Sequence, residues 1–352
     1  MMQLETVLKE FGLDKNRVNI APIDNGLINH TWKVGCGDQY FILQRVNTSV
    51  FQQPEDIAYN ISEISNFLQH NTSGYTFVSP VKTFDGGSLI YINDQGYFRV
   101  FPFVKGSHTI KIVQTPEQAT EAAKQFGRFT RLLKGFDCSK LKITIPDFHN
   151  LSLRYKQFTE ALKTGNSDRI KEASSLIEKL KDWSFIVDEY KSIKNDSEFK
   201  LRVTHHDTKI SNVLFDNDDK GICVIDLDTV MPGYFISDVG DMMRTYLCPV
   251  SEEEQDVSKI EIRPAFYKAI VEGYLSAMKE VLTEKEKGCF FYAGLFMIYM
   301  QALRFLTDYL NDDKYYGAAY AGQNLTRASN QIVLLQKFIE AKSELQNIEM
   351  NS

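Results

Sequence analysis

His205-His206-Asp207-Thr208-Lys209-Ile210-Ser211-Asn212, with Ile225-Asp226-Leu227-Asp228 behind it, is the stretch that sets the chemistry and, through it, the fold. An Asp, a Lys two residues on, an Asn five residues on and then an Asp closing an apolar run form the layout of a phosphoryl-transfer loop. In that layout Asp207 accepts the proton of an acceptor hydroxyl and Lys209 counters charge on the moving phosphoryl group. Asn212 and Asp226 hold Mg2+ against the phosphates of ATP. The spacing matters because one tight loop must aim a base and a metal ligand at opposite sides of one phosphorus.

An HxD triplet alone carries little, so the flanks decide. Leu201-Arg202-Val203-Thr204 leads in as an apolar, β-branched run, and Val213-Leu214-Phe215 follows the Asn as a short strand. Asp216-Asn217-Asp218-Asp219-Lys220-Gly221 reads as a hairpin turn, and Ile222-Cys223-Val224-Ile225 returns as a strand that delivers Asp226. The competing account is a surface hairpin whose acids are merely solvated.

Working outward, the N-terminal third reads as a β-rich lobe. Asn25 to Val34 reads as a strand, a turn at Gly26 and a return strand, either a plain hairpin or one whose Asn25 and Gly26 let backbone N–H groups approach phosphates. Tyr40-Phe41-Ile42-Leu43-Gln44-Arg45-Val46 is the next strand. Phosphoryl-transfer enzymes of this kind carry a phosphate-binding Lys there, and this chain has none. Strand alternation lets only one of Gln44 and Arg45 face the nucleotide; Arg45 carries the charge and is the choice, with a solvent-facing Arg as the alternative. A helix opens at Pro54 with Glu55 and Asp56 in its first turn, and Ile57, Ile61, Ile64 and Leu68 recur at helical spacing. Glu63 or Asn60 is placed to contact the strand above. Ser88–Ile92 and Tyr97–Phe101 form a hairpin ending in Phe101-Pro102-Phe103-Val104-Lys105-Gly106, an interlobe linker. Adenine binds there through backbone groups, at Phe101 and Phe103, with Phe103 the N–H donor because Pro102 has none.

From about residue 107 the pattern turns helical: Glu117 to Lys134, Ser167 to Glu189, and further helices from Arg263 onward. The expected fold is α+β, with an N-terminal ATP-binding lobe over 1–105 and a helical lobe over 106–352 that carries the catalytic loop and acceptor site. The 352 residues are 43% hydrophobic and 24% charged, enough for two lobes. A formal charge of -6 with no basic block argues against nucleic-acid and anionic-membrane partners. Five cysteines without ligand spacing read as reduced thiols in a cytosol. The uncharged run from Gly288 to Leu303 is short for a membrane span and reads as a buried helix, and the acidic start is unlike a signal peptide.

The chain resembles the aminoglycoside phosphotransferase and choline kinase superfamily, which has a protein-kinase-like fold, and more narrowly the N-acetylhexosamine 1-kinases. The shared residues run from His206-Asp207-Thr208-Lys209 through Asn212-Val213 to Val224-Ile225-Asp226-Leu227-Asp228-Thr229-Val230-Met231-Pro232-Gly233. Ser237-Asp238-Val239-Gly240-Asp241, Arg304 to Leu310 and Asn324 to Ala328 extend the match, as do Asn25-Gly26 and Phe41 to Asn47. His205 stands where a small polar residue is the rule. The resemblance implies Asp207 as base, Asn212 and Asp226 as Mg2+ ligands, and Asp241 and Arg304 as sugar contacts.

Among the remaining residues, Asp238 is expected to hold backbone N–H groups under the catalytic loop, while Asp228 is open between a supporting role and a turn acceptor. Arg244 and Arg304 suit an oxygen-rich neutral acceptor, whereas a quaternary amine calls for an aromatic cage and acids. The expected reaction is transfer from Mg–ATP to the anomeric hydroxyl of an N-acetylhexosamine. The competing functions are phosphorylation of homoserine, choline or another amino alcohol, and nucleotide binding without turnover, which the missing strand Lys motivates. Sulfatase, Walker-A and GxGxxG patterns are absent.

Overall fold

The protein is described as a computed structural model over residues 2–13, 18–23 and 28–351. After helix α1 (Met2–Glu10) come β1 (Val18–Pro22), β2 (His30–Cys36), β3 (Gln39–Arg45), α2 (Pro54–Asn71), β4 (Ile90–Ile92) and β5 (Gly96–Pro102). The strands form one antiparallel sheet in the order β1-β2-β3-β5-β4. Alternation gives this sheet two unlike faces. Val34, Leu43, Phe98 and Val100 pack with Val7, Leu8 and Phe11 of the N-terminal segment into a small core. The intervening residues Thr31, Lys33, Gln44, Arg99 and Phe101 lie on the other face, in register across β2, β3 and β5.

Helix α2 belongs to the other core. Proline at its first turn and the acids Glu55 and Asp56 start it as the sequence predicts. Ile57, Ile61, Ile64 and Leu68 are buried in the cluster that fills the helical lobe. That lobe contains α3 (Pro116–Leu132), α4 (Leu151–Thr164), α5 (Ser167–Glu172), α6 (Ser174–Asp182) and α7 (Phe185–Asn195). Two short hairpin-like pairs follow: β6 (Arg202–Thr204) with β9 (Met231–Gly233), and β7 (Val213–Phe215) with β8 (Gly221–Val224). Helices α8 (Phe235–Tyr246), α9 (Pro264–Met278), α10 (Glu284–Lys287), α11 (Phe290–Leu310), α12 (Gln323–Glu340) and α13 (Lys342–Met350) complete the chain.

The mixed α+β, protein-kinase-like plan expected from the sequence is what the structure contains. The linker adds to it a bridge between His108 and Phe215, which ties the chain leaving β5 to the catalytic hairpin. Two expectations change. The single helix over Ser167–Glu189 is three helices, interrupted at Ala173 and at Trp183-Ser184; at the second break the N–H groups of Ser184 and Ile186 turn to carbonyls three residues back, on Lys181 and Trp183, the tightening that ends one helix before the next begins. Helix α4 was not foreseen: Asn150 caps it by accepting from Leu153 N–H, and only Leu151, Phe158 and Ala161 are fully buried, which leaves a thin apolar stripe. Helix α11 has the length and composition of a membrane span, but 89% of the apolar window is buried inside the protein. It is apolar all round because other helices surround it.

Candidate active site

The catalytic loop is held from below by α8. Asp238, fully buried, accepts from His205 N–H at 3.0 Å and His206 N–H at 2.8 Å. Its carbonyl accepts from the Thr208 hydroxyl at 2.7 Å. Asp241, one helical turn on, accepts from Thr208 N–H at 2.8 Å, and Tyr246 donates its hydroxyl to the Thr208 carbonyl at 2.6 Å. With its amides so claimed, the loop can hold His206 at φ +68, a left-handed conformation that costs a non-glycine residue about 1–2 kcal/mol. Gly233 on β9 lies against the His206 ring and the Thr204 hydroxyl, where any Cβ would collide. The expected supporting role of Asp238 is borne out by this geometry.

His205 explains its own departure from a small residue. Its ring is buried against Phe126, with centroids 5.1 Å apart. Nε2 donates to the Ile225 carbonyl at 2.9 Å, and Nδ1 accepts from Asp207 N–H at 3.4 Å. Burial lowers its pKa, so a neutral ring bridges the base and the strand that delivers Asp226.

Asp207 and Lys209 face each other at 3.1 Å, the Asp side chain 21% exposed. Burial opposes ionisation of Asp207, but Lys209 and the loop's hydrogen bonds outweigh it and its carboxyl sits below the ordinary value. Asp207 in turn raises Lys209. Asn212 donates its amide N–H to the Asp207 carbonyl at 2.9 Å, which leaves its Oδ1 as the unclaimed end. Ile225 N–H donates to the Asn212 carbonyl at 2.8 Å, fixing the two metal-ligand candidates to each other. Asp226, at φ +60, opens into the cleft. Enclosure between the lobes, then Asp228 and Asp207, push its carboxyl well above the usual range. Crowded carboxylates beside an oriented amide oxygen fit a hard divalent cation. Among the described residues no group of three or more His, Cys, Asp or Glu side chains could hold a metal alone. Two protein ligands completed by phosphate oxygens and water is the arrangement Mg2+ favours.

Above the loop, Asp228 meets the sheet. It forms an ion pair with Arg99 of β5 at 2.6 Å, both side chains buried, and accepts from Asn29 at 2.8 Å. Arg99 also donates from Nε and Nη2 to Gln44 Oε1, at 3.0 and 2.8 Å. Gln44 is therefore on the cleft face, and Arg45 is on the opposite face of β3 with Leu43. The charge that favoured Arg45 in sequence could not reveal this, because the phase of a strand is set by which neighbours fill the core. Asn60 of α2 bonds the carbonyls of Lys142 and Val230, at 2.9 and 3.1 Å, and no strand residue. Asn25 and Gly26 lie outside the described residues.

At the linker, Phe101 lies on the cleft face beneath the Arg99 guanidinium, 5.1 Å from its ring centre. Phe103 N–H is not turned to a ligand: it donates to the Tyr40 carbonyl at 3.0 Å and ends the sheet. Neighbouring amides of an extended chain alternate in direction, which makes Val104 N–H the next candidate donor.

Asp241 is committed to the protein. Besides Thr208 N–H it takes Arg244, 3.1 Å away, and Arg244 reaches on to Glu252 at 2.8 Å, which also pairs with Arg327. Arg304 instead lines a pocket of about 300 Å3 with Arg154, Gln157, Glu160, Tyr315 and Tyr316. Asp308 shapes its wall by accepting from the amides of Tyr315 and Tyr316, at 2.7 and 2.9 Å. The pocket is one side-chain layer from the catalytic loop: Arg304 lies over Phe148, whose ring and that of His149 pack at 6.4 and 5.2 Å from His206. Sequence reasoning missed Arg99 and Arg154. A lone arginine within Phe98-Arg99-Val100-Phe101 was a usable signal, since an apolar strand buries a charge only beside a partner; Arg154 gave none, because its helix was unseen.

The model of a phosphotransferase enzyme family matches residues 19–282. Among solved structures, an aminoglycoside phosphotransferase from Alicyclobacillus acidocaldarius superposes with TM-score 0.67 at 12% identity, over 98% of this chain and 96% of that one. A choline kinase from Cryptosporidium parvum gives 0.58 at 14% identity, over 96% and 92%. An amicoumacin kinase in complex with AMP-PNP and Ca2+ gives 0.58 at 14% identity, over 99% and 93%. At these identities the likeness is one of fold.

Proposed function

Since the chain belongs to the phosphotransferase enzyme family, we propose that it moves the γ-phosphoryl group of ATP to the anomeric hydroxyl of an N-acetylhexosamine, giving the sugar 1-phosphate. The observation that carries the phosphoryl-transfer chemistry is the Asp207–Lys209 contact at 3.1 Å beside an Asn212 whose amide oxygen is left for a metal. Asp207 takes the proton as the acceptor oxygen bonds to phosphorus and the bond to the leaving ADP oxygen breaks. Lys209 neutralises charge at the transferring group. Asn212 Oδ1 and Asp226 would hold Mg2+, which supplies charge neutralisation of the phosphates when bound. Adenine would lie along the linker, using Val104 N–H as donor and Phe101 as apolar wall. A general base of this kind adds about 10²–10⁴-fold, so positioning carries most of the rate.

The sugar is supported by the pocket at Arg304. Two guanidiniums, Arg154 and Arg304, lie in one pocket with Tyr315 and Tyr316, and each lacks a carboxylate partner among the described residues. They offer forked N–H donors to hydroxyl and acetamido oxygens, and Glu160 and Asp308 in the same lining balance their charge, which suits a neutral, oxygen-rich acceptor. Tyrosine rings suit the apolar face of a pyranose.

The test is ADP release with Mg–ATP over N-acetylglucosamine, N-acetylgalactosamine, glucose, galactose, homoserine, choline and an aminoglycoside, with 31P NMR of the product and Asp207→Asn alongside. A sugar 1-phosphate made only by the unaltered chain is expected. Turnover on an amino alcohol alone would discard the sugar, and unchanged turnover in Asp207→Asn would discard the base.

A further inference from the structure

The phosphate-binding lysine expected on β3 is absent, and the geometry points to a two-residue replacement: Gln44 meets the nucleotide phosphates with its amide N–H2, and Arg99 on the neighbouring strand orients it. The inference rests on the reading of the cleft as an ATP site. The cations on the cleft face of the described sheet are Lys33 and Arg99. Lys33 is held over the rings of Tyr40 and Phe103, 4.7 and 4.3 Å from their centres, at the linker end. Arg99 is directly across from Gln44 in the β3–β5 register and is only 3% exposed. Its guanidinium is engaged on both sides, by Asp228 and by Gln44 Oε1.

Two N–H groups on Gln44 Oε1 fix which way the amide points. The oxygen faces Arg99, so the NH2 faces away from it, toward Thr31 of β2, which it meets only at the long distance of 3.4 Å. A glutamine free to flip would present oxygen to a phosphate half the time; this one is held as a donor. Asp228 plays the part of counterion to the relocated cation and stands two residues beyond Asp226, so the same pair ties the sheet to the metal-binding loop. A buried ion pair of this kind is no more stabilising than a well-packed apolar pair, so what it contributes is position. Arg99 is thus a positioning residue, and Gln44 the one that touches the nucleotide.

Calorimetric binding of ADP and of adenosine, without turnover, tests this. Gln44→Leu leaves the Arg99–Asp228 pair in place but takes the acceptor from Arg99 Nε, so circular dichroism checks its fold; loss of one donor to a charged oxygen predicts ADP affinity weaker by about tenfold or more, with adenosine unchanged. Arg99→Met should show the same selective loss, and adding Gln44→Lys to it should restore ADP binding by returning a cation to β3 beside Asp228. Unchanged ADP affinity in Gln44→Leu would overturn the inference, as would equal losses for ADP and adenosine in Arg99→Met. Failure of the unaltered chain to bind any adenine nucleotide would instead overturn the ATP reading on which this rests.

Discussion

Replacing Asp238 by alanine removes the one side chain that accepts from the His205 and His206 amides, at 3.0 and 2.8 Å. Both groups lie under the loop and away from water, and each buried donor left unpaired costs about 1–3 kcal/mol. The expected loss of stability is therefore about 2–6 kcal/mol. Relief from burying the carboxylate, whose own burial pushes its pKa up to about 7, pulls the figure toward the lower end. The same loss releases the strained His206 backbone, so Asp207 shifts against the acceptor. A displacement near 1 Å costs about 10²-fold in rate. Urea unfolding followed by circular dichroism reads the first effect, and ADP release with N-acetylglucosamine reads the second. The expected pattern is a lower urea midpoint with kcat down and KM for ATP little changed. A variant with wild-type midpoint and wild-type kcat would refute the idea that Asp238 holds the catalytic loop.

Gly240→Ala should destabilise the helical lobe by about 1–3 kcal/mol, because the new Cβ would press on the Ala293 carbonyl where α8 crosses α11; thermal unfolding would show it, and an unchanged Tm would mean the helices are not in close contact. His206 is lowered from 6.5 to about 4, by burial first. A histidine with a depressed folded pKa contributes stability that is present above 6.5 and lost as pH falls toward about 4. That window corresponds to roughly 3 kcal/mol. His206→Asn, which tolerates the left-handed backbone, should flatten the stability profile over that range, and an equally steep profile would assign the acid sensitivity elsewhere. Asp226→Asn removes one of three crowded carboxylates, so the ligand-free protein should melt higher while the extra stabilisation by Mg–ATP over ATP alone disappears; retained Mg2+ dependence would take Asp226 out of the metal site.

The family, the α+β class, the loop residues Asp207, Lys209 and Asn212, and the strand delivering Asp226 were legible in the chain because their spacing is local: a loop, a hairpin turn and a strand encode themselves within about twenty-five residues. The helix at Pro54 was legible for the same reason, its start signals and apolar period being contiguous. Asp238 could be placed under the loop from the Ser237-to-Asp241 stretch that resembles the family. Nothing local, however, said that Asp241 spends its oxygens on Thr208 and Arg244, or that Asp228 belongs to Arg99, 129 residues away in the chain.

What tertiary structure decided is the orientation of groups whose neighbours come from elsewhere. Gln44 and Arg45 are adjacent in sequence, and only the burial of Leu43 against α1 and β5 settles which faces the cleft. Phe103 looked like a free donor until the sheet claimed its N–H through Tyr40. The pocket at Arg304 joins α4, α11 and the segment carrying Tyr315 and Tyr316, three pieces that no periodicity connects. Residue types and their short spacings determine which chemistry the chain can perform; the packing of distant elements determines which oxygen, amide or guanidinium is left over to perform it, because each partner made within the fold is one denied to the ligand.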